Sequence, residues 1–151
     1  MLVNINEIQR QADEMILRAG FPKHSVNLCS APYGDGTPYI SFENDLYNYI
    51  YSERGYEFSR KVTHSLNTLL YWIMSEFACQ IAYQYKLDHR VEERDGRRIA
   101  FPKFIEIMAN MNPIWELEAR YEIQKNYGSH SVHLQYTEHN HLCHATLIKT
   151  H

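Results

Sequence analysis

Long hydrophobic runs are missing from this chain of 151 residues. The longest strongly apolar run is Leu69–Met74, whereas a membrane-spanning helix needs about 20 consecutive apolar residues. The first residues also lack the basic stretch and apolar centre of a secretion signal. We therefore expect no membrane segment, no signal peptide and no membrane partner.

Cysteine is scarce as well. The chain has three cysteines, Cys29, Cys79 and Cys143, which are odd in number and widely spaced. Small secreted domains that depend on disulfides usually carry an even number of cysteines at short spacings. This pattern argues against a disulfide framework and predicts a reducing compartment, the cytoplasm.

A large excess of charge of either sign is absent too. The formal net charge is −3, and nucleic-acid affinity depends on clustered lysine and arginine, so we expect no nucleic-acid partner. The sequence also lacks a phosphate-binding loop, a dinucleotide-binding glycine motif, a nucleophile elbow and a zinc-protease motif. The residue patterns therefore give no specific reason to propose catalysis.

What the sequence does contain is a series of clear helix and strand patterns. Apolar residues at helical spacing predict a first helix that follows a cap at Asn4, and a long, broadly apolar helix from Thr63 or Ser65 to about Leu87. Two later helices and a few short strands complete the pattern. They are predicted at 101–111 and 112–128 for the helices, and at 25–31, 39–42 and 47–53 for the strands.

These elements predict an α+β fold that is mostly helical, with a long central helix and a small antiparallel sheet. We expect one globular domain over residues 1–128. Residues 129–151 form a separate C-terminal segment that holds six of the nine histidines.

Three tyrosines alternate along the second main strand. Because side chains of a strand point to opposite faces in turn, Tyr47, Tyr49 and Tyr51 share one face, and Glu53 and Arg54 follow them. One interpretation is an exposed epitope, since tyrosine and arginine are common hot-spot residues at interfaces. The alternative is a strand that packs its tyrosines onto the long helix.

A second polar candidate is the charged stretch that contains Asp95, Arg97 and Arg98. Arginine binds carboxylates through two parallel hydrogen bonds, so these residues could form a charged rim for a ligand. The alternative is an internal ion-pair network beside a solvated run of charges.

The C-terminal segment offers a different chemistry. On a strand, His139, His141 and Cys143 would share a face and could hold zinc. The segment lacks the second ligand cluster of established metal motifs, so incidental histidine richness is the alternative. A small metal-binding regulator or enzyme that uses this segment is therefore kept as the alternative function.

Three short motifs together resemble a known family. They are Tyr49-x-Tyr51-Ser52-Glu53-Arg54-Gly55, then Tyr71-Trp72, then Asp95-x-Arg97-Arg98-x-x-Phe101. In their order and spacing, over about residues 38–125, they resemble the family numbered sixty-three among the immunity proteins of bacterial polymorphic-toxin systems.

This resemblance implies that the protein binds a cognate toxin domain in the cytoplasm and neutralises it without catalysis or cofactor, in a polymorphic-toxin or contact-dependent growth-inhibition system. The chain would act as a monomer or weak homo-oligomer. A further alternative is a homo-oligomeric module in which the tyrosine strip, Tyr47, Tyr49 and Tyr51, pairs with the same strip of a second copy. The residues predicted to contact the partner are Tyr47, Tyr49, Tyr51, Glu53, Arg54, Asp95, Arg97 and Arg98.

Overall fold

The computed structural model describes residues 2–89 and 97–127. Within these ranges the chain forms four helices and one three-stranded sheet, and it divides into two compact units with a boundary after Ile73. The elements in chain order are α1 (Ile5–Arg18), β1 (Tyr39–Glu43), β2 (Leu46–Glu53), β3 (Tyr56–Thr63), α2 (Leu66–Asp88), α3 (Arg97–Met111) and α4 (Trp115–Tyr127).

Helix α1 begins at the predicted cap. The Asn4 side chain accepts a hydrogen bond from the Glu7 amide at 2.9 Å, which satisfies one of the amides that a helix leaves without a partner in its first turn. The buried face of the helix carries Ile8, Ala12 and Ile16, at the spacing of one helical stripe.

A single glutamine of α1 holds the segment that follows the helix. The Gln9 side chain donates to the Val26 carbonyl at 2.8 Å and accepts from the Leu28 amide at 2.9 Å. One backbone hydrogen bond, from the Ile40 amide of β1 to the Cys29 carbonyl at 2.8 Å, joins this segment to the sheet, whereas Val26 and Leu28 bond to the Gln9 side chain, so residues 25–31 form no strand. The prediction of a strand there is wrong.

The sheet has the order β1-β2-β3 and is antiparallel throughout. Both connections have two residues, Asn44-Asp45 and Arg54-Gly55, and all four residues have positive φ. This is the backbone of type I′ turns, whose twist matches that of the strands they join. Asparagine, aspartate and glycine adopt such angles readily, whereas Arg54, at φ 51°, does so at some cost.

The second unit is built from helices. Helix α3 packs against α4, and the loop between them caps α4 because the Asn112 side chain accepts from the Ile114 amide at 3.1 Å. The apolar residues that this unit buries lie on α3 at helical spacing and at the start of α4. They are Ala100, Phe104, Ile107, Met108, Met111, Trp115 and Ala119.

The predicted α+β class, with a long helix and a small antiparallel sheet, is confirmed. The sequence prediction missed β3 and started α3 four residues late. The cysteine pattern argues against a disulfide framework, but Cys79 is disulfide-bonded, whereas Cys29 is free. The division into a domain over 1–128 and a tail over 129–151 stays a prediction, because the tail lies outside the described residues.

Candidate partner-binding surface

The turn between β2 and β3 carries the most prominent of the predicted site residues, Arg54. Its backbone amide donates a hydrogen bond to the Gly34 carbonyl at 3.2 Å, and Asp35 forms an isolated bridge with Glu53. The loop around residues 33–36 therefore lies beside the turn, and both belong to the same end of the sheet.

Two tyrosines at this end of the sheet are largely exposed. Tyr33 is 73% exposed and Tyr56, which pairs with Glu53 across the turn, is 63% exposed. The Arg54 side chain is exposed too, and it forms no ion pair with any residue of 2–89 or 97–127. We call Tyr33, Arg54 and Tyr56 the turn patch. It combines two of the residue types that contribute most to binding at protein interfaces.

A fixed negative charge accompanies the turn patch. The Asp35 carboxylate accepts a hydrogen bond from the Thr37 amide at 3.0 Å, and hydrogen bonds from the Thr37 side chain and backbone lower the pKa of Asp35. Burial and the nearby Asp35 carboxylate raise the pKa of the Cys29 thiol, so this cysteine stays protonated at neutral pH and is a poor nucleophile. The surface is thus suited to polar and aromatic contacts.

The three predicted tyrosines of β2 lie in the core, at most 3% exposed. They share one face, as the alternation predicts. The Tyr49 ring stacks on Trp72 at 6.4 Å between ring centroids and meets the edge of Tyr51 at 5.2 Å.

The neighbouring contacts complete this buried face. Tyr51 stacks on Phe58, the extra residue at a β-bulge, and the Tyr47 hydroxyl accepts from the Val3 amide at 2.9 Å. This arrangement is the packing alternative of the sequence analysis.

The remaining predicted residues are distributed between the two units. Glu53 is half-buried at the end of β2, and Arg97 (half-buried) and Arg98 (exposed) form the first turn of α3. Asp95 lies outside the described residues, and so does the histidine-rich segment with its predicted zinc ligands. Among the residues that are described, no group of three or more histidine, cysteine, aspartate or glutamate side chains could hold a metal ion.

A polar cluster on β3 is absent from the predicted site residues, because the strand itself was not predicted. Arg60 of β3 pairs with Glu57 at 2.7 Å and Glu43 at 3.2 Å, and donates to the buried Asn48 amide oxygen at 3.2 Å. On the opposite face of the sheet, the Lys61 ammonium lies over the Trp72 ring at 5.5 Å. The signal for β3 was the alternation of Tyr56, Phe58, Arg60 and Val62, in which a charged residue interrupts the apolar positions.

No helix in the described part of the chain is long and apolar enough to cross a membrane. A family model described as Immunity protein 63 matches residues 43–125. That range runs from the end of β1 into α4, so it covers more than half of the chain and includes Arg54 and Tyr56. No curated protein and no solved structure matches the chain.

Proposed function

Because the chain belongs to the Immunity protein 63 family, we propose that it is the immunity protein of a bacterial toxin system, which binds a cognate toxin domain and neutralises it. The family match over residues 43–125 is the observation that carries this proposal. The system would be a polymorphic-toxin or contact-dependent growth-inhibition system, and the protein would act in the cytoplasm by binding and not by catalysis.

We assign the turn patch as part of the toxin-binding surface. Tight neutralisation uses an interface of about 1,600 Å² in which a few central aromatic and arginine side chains dominate the binding energy. Tyr33 and Tyr56 supply exposed aromatic rings, and Arg54 supplies a guanidinium whose planar fork can bind a carboxylate or phosphate of the toxin through two hydrogen bonds.

The first test is identification of the partner. The intact protein is used to capture partners from its native host, and we expect one stoichiometric partner, the C-terminal toxin domain of a large secreted protein encoded beside it. Binding of that domain is then measured by titration calorimetry, with an expected dissociation constant in the nanomolar range or below. Only micromolar binding to the adjacent toxin would contradict the proposal.

The second test maps the surface. We expect Tyr56→Ala and Arg54→Asn each to weaken toxin binding at least about tenfold, which corresponds to ~1.4 kcal/mol. Asparagine tolerates the positive φ of residue 54, so this variant removes the guanidinium and keeps the turn. The control is Tyr121→Ala, which truncates a tyrosine of similar exposure on α4. If Tyr56→Ala and Arg54→Asn both bind the toxin like the unmodified protein, the turn patch is not the contact surface.

A further inference from the structure

The outer edge of β3 is open in the described part of the chain. In the strand order β1-β2-β3, the two outer strands each have one edge that faces away from the sheet. On β1 that edge is joined to the segment before it, because the Ile40 amide donates a hydrogen bond to the Cys29 carbonyl at 2.8 Å. Within residues 2–89 and 97–127, no backbone hydrogen bond of this kind reaches the outer edge of β3.

A regular stretch of five residues forms this edge. Ser59–Thr63 pair with β2 without interruption, whereas the bulge at Phe58 separates them from the start of β3. Five residues are about the mean length of a strand in globular proteins. Because the hydrogen bonds of an antiparallel pair alternate, every second residue of the stretch directs its amide and its carbonyl away from β2. We call Ser59–Thr63 the β3 edge.

The two cations of the β3 edge do not block it. Exposed edge strands are often protected by charged side chains, above all lysine. The Arg60 guanidinium is instead held over one face of the sheet, where it pairs with Glu43 at 3.2 Å and donates to the Asn48 amide oxygen at 3.2 Å. The Lys61 ammonium lies over the Trp72 ring, 5.5 Å from its centroid. Both charges are therefore directed over the sheet and away from the outer backbone of β3.

An exposed apolar side chain and the turn patch accompany this backbone. Val62 is 50% exposed within the β3 edge. Tyr56 of the turn patch is the first residue of β3, so the β3 edge continues the surface that we assign to toxin binding. An open row of amides and carbonyls fits an extended strand, because a strand presents the complementary groups at the same repeat.

We propose that the toxin domain contributes an extended segment that pairs with the β3 edge as a fourth strand of the sheet. This inference rests on the proposed function. Backbone hydrogen bonds hold the segment, and an apolar side chain of the toxin lies beside Val62.

A second copy of this chain is a poorer occupant of the β3 edge. Two identical strands that pair around a two-fold axis and overlap over all five residues set Lys61 directly opposite its own equivalent. Like charges in directly opposite positions destabilise a sheet. A strand from a different protein is free of this constraint.

Hydrogen exchange of the individual β3 amides, followed by NMR with and without the captured toxin domain, tests the proposal on the unmodified chain. In the free protein, the amides that bond to β2 exchange slowly and the outward amides of the β3 edge exchange fast. On toxin binding we expect the outward amides to exchange at least about tenfold more slowly. Overhauser contacts between these amides and amides of the toxin then show that a strand, and not only side chains, covers the edge.

Val62→Lys is the matching substitution. It places a lysine on the β3 edge without removing a backbone hydrogen bond to β2, and it should weaken toxin binding at least about tenfold in titration calorimetry. The matched control is Phe42→Lys, which makes the same change at an exposed apolar residue of β1, the other outer strand, and should leave toxin binding unchanged. Circular dichroism checks that both variants fold.

The outcomes separate this proposal from the proposed function. If the unmodified protein binds no toxin domain, the proposed function fails and the strand pairing fails with it. If the toxin binds but the outward amides keep their exchange rates, or if folded Val62→Lys binds as tightly as the unmodified protein, only the strand pairing is overturned. Slow exchange of the outward amides without toxin overturns it too. Protection that grows with protein concentration assigns the β3 edge to a second copy, and protection at every concentration assigns it to another part of the same chain.

Discussion

Replacing Tyr49 by alanine removes the aromatic ring at the centre of the buried face of the sheet. Tyr49 is 3% exposed, stacks on Trp72 and meets the edge of the Tyr51 ring. This substitution also distinguishes the two interpretations of Tyr47, Tyr49 and Tyr51. Truncation of a core residue lowers the free energy of unfolding far more than truncation of an exposed epitope residue.

The expected cost follows from the contacts of the ring. Truncation of a buried aromatic side chain to alanine removes about 3–5 kcal/mol from the free energy of unfolding, and each aromatic pair contributes about 0.5–1.5 kcal/mol of such a loss. A domain of this size is typically stable by about 5–15 kcal/mol. With a slope of roughly 2 kcal/mol per molar urea, the unfolding midpoint should fall by about 1.5–2.5 M.

The assay is urea unfolding followed by circular dichroism, with Tyr121→Ala as the control. Truncation of that exposed tyrosine should lower the free energy of unfolding by less than about 0.5 kcal/mol. If Tyr49→Ala lowers the free energy of unfolding by less than about 1 kcal/mol, the packing of the Tyr49 ring on Trp72 and Tyr51 does not stabilise the sheet. That result would contradict the assignment of these tyrosines to the core.

The remaining predictions concern a hydroxyl, a turn and a carboxyl group. Tyr47→Phe removes the acceptor of the Val3 amide and should lower the free energy of unfolding by about 1 kcal/mol in the same urea assay; no change would mean that this amide finds another acceptor. Gly55→Ala should lower the free energy of unfolding by about 1–2 kcal/mol, because residue 55 has a φ of +82°, which alanine adopts only with strain. No atom lies within 4 Å of the added Cβ, so a steric clash does not contribute. An unchanged urea midpoint would refute the turn assignment. The Arg10 hydrogen bond lowers the pKa of Glu7 to about 2, so this exposed pair contributes its small stabilisation above pH 4.5 and loses it as the pH falls toward 2. An NMR titration of the Glu7 carboxyl should show this midpoint, and Arg10→Ala should return it toward 4.5; equal midpoints would exclude the ion pair.

Local interactions explain which elements could be predicted. The start of α1 depends on an asparagine and an amide three residues apart, and the cap of α2 is the Ser65 hydroxyl, which accepts from the Thr68 amide at 3.1 Å. Both lie within one helical turn. The turn at Asn44-Asp45 follows likewise from residues that adopt positive φ. By contrast, β3 has a charged residue at one of its alternating positions, Arg60, which the sheet accommodates through Glu43 and Asn48 on other strands.

By itself, the sequence determined the helices, the first hairpin, the α+β class and the family resemblance, because each depends on periodicity, on capping or on short motifs. Only the tertiary structure decided which aromatic residues are available to a partner. Alternation places Tyr47, Tyr49 and Tyr51 on one face of β2, but whether that face is covered depends on Trp72 and Phe58, which come from α2 and from the bulge in β3. Strand pairing and helix packing join residues far apart in the chain, and that is why the sequence alone left open whether Tyr47, Tyr49 and Tyr51 are covered and gave no sign that Tyr33 and Tyr56 are exposed.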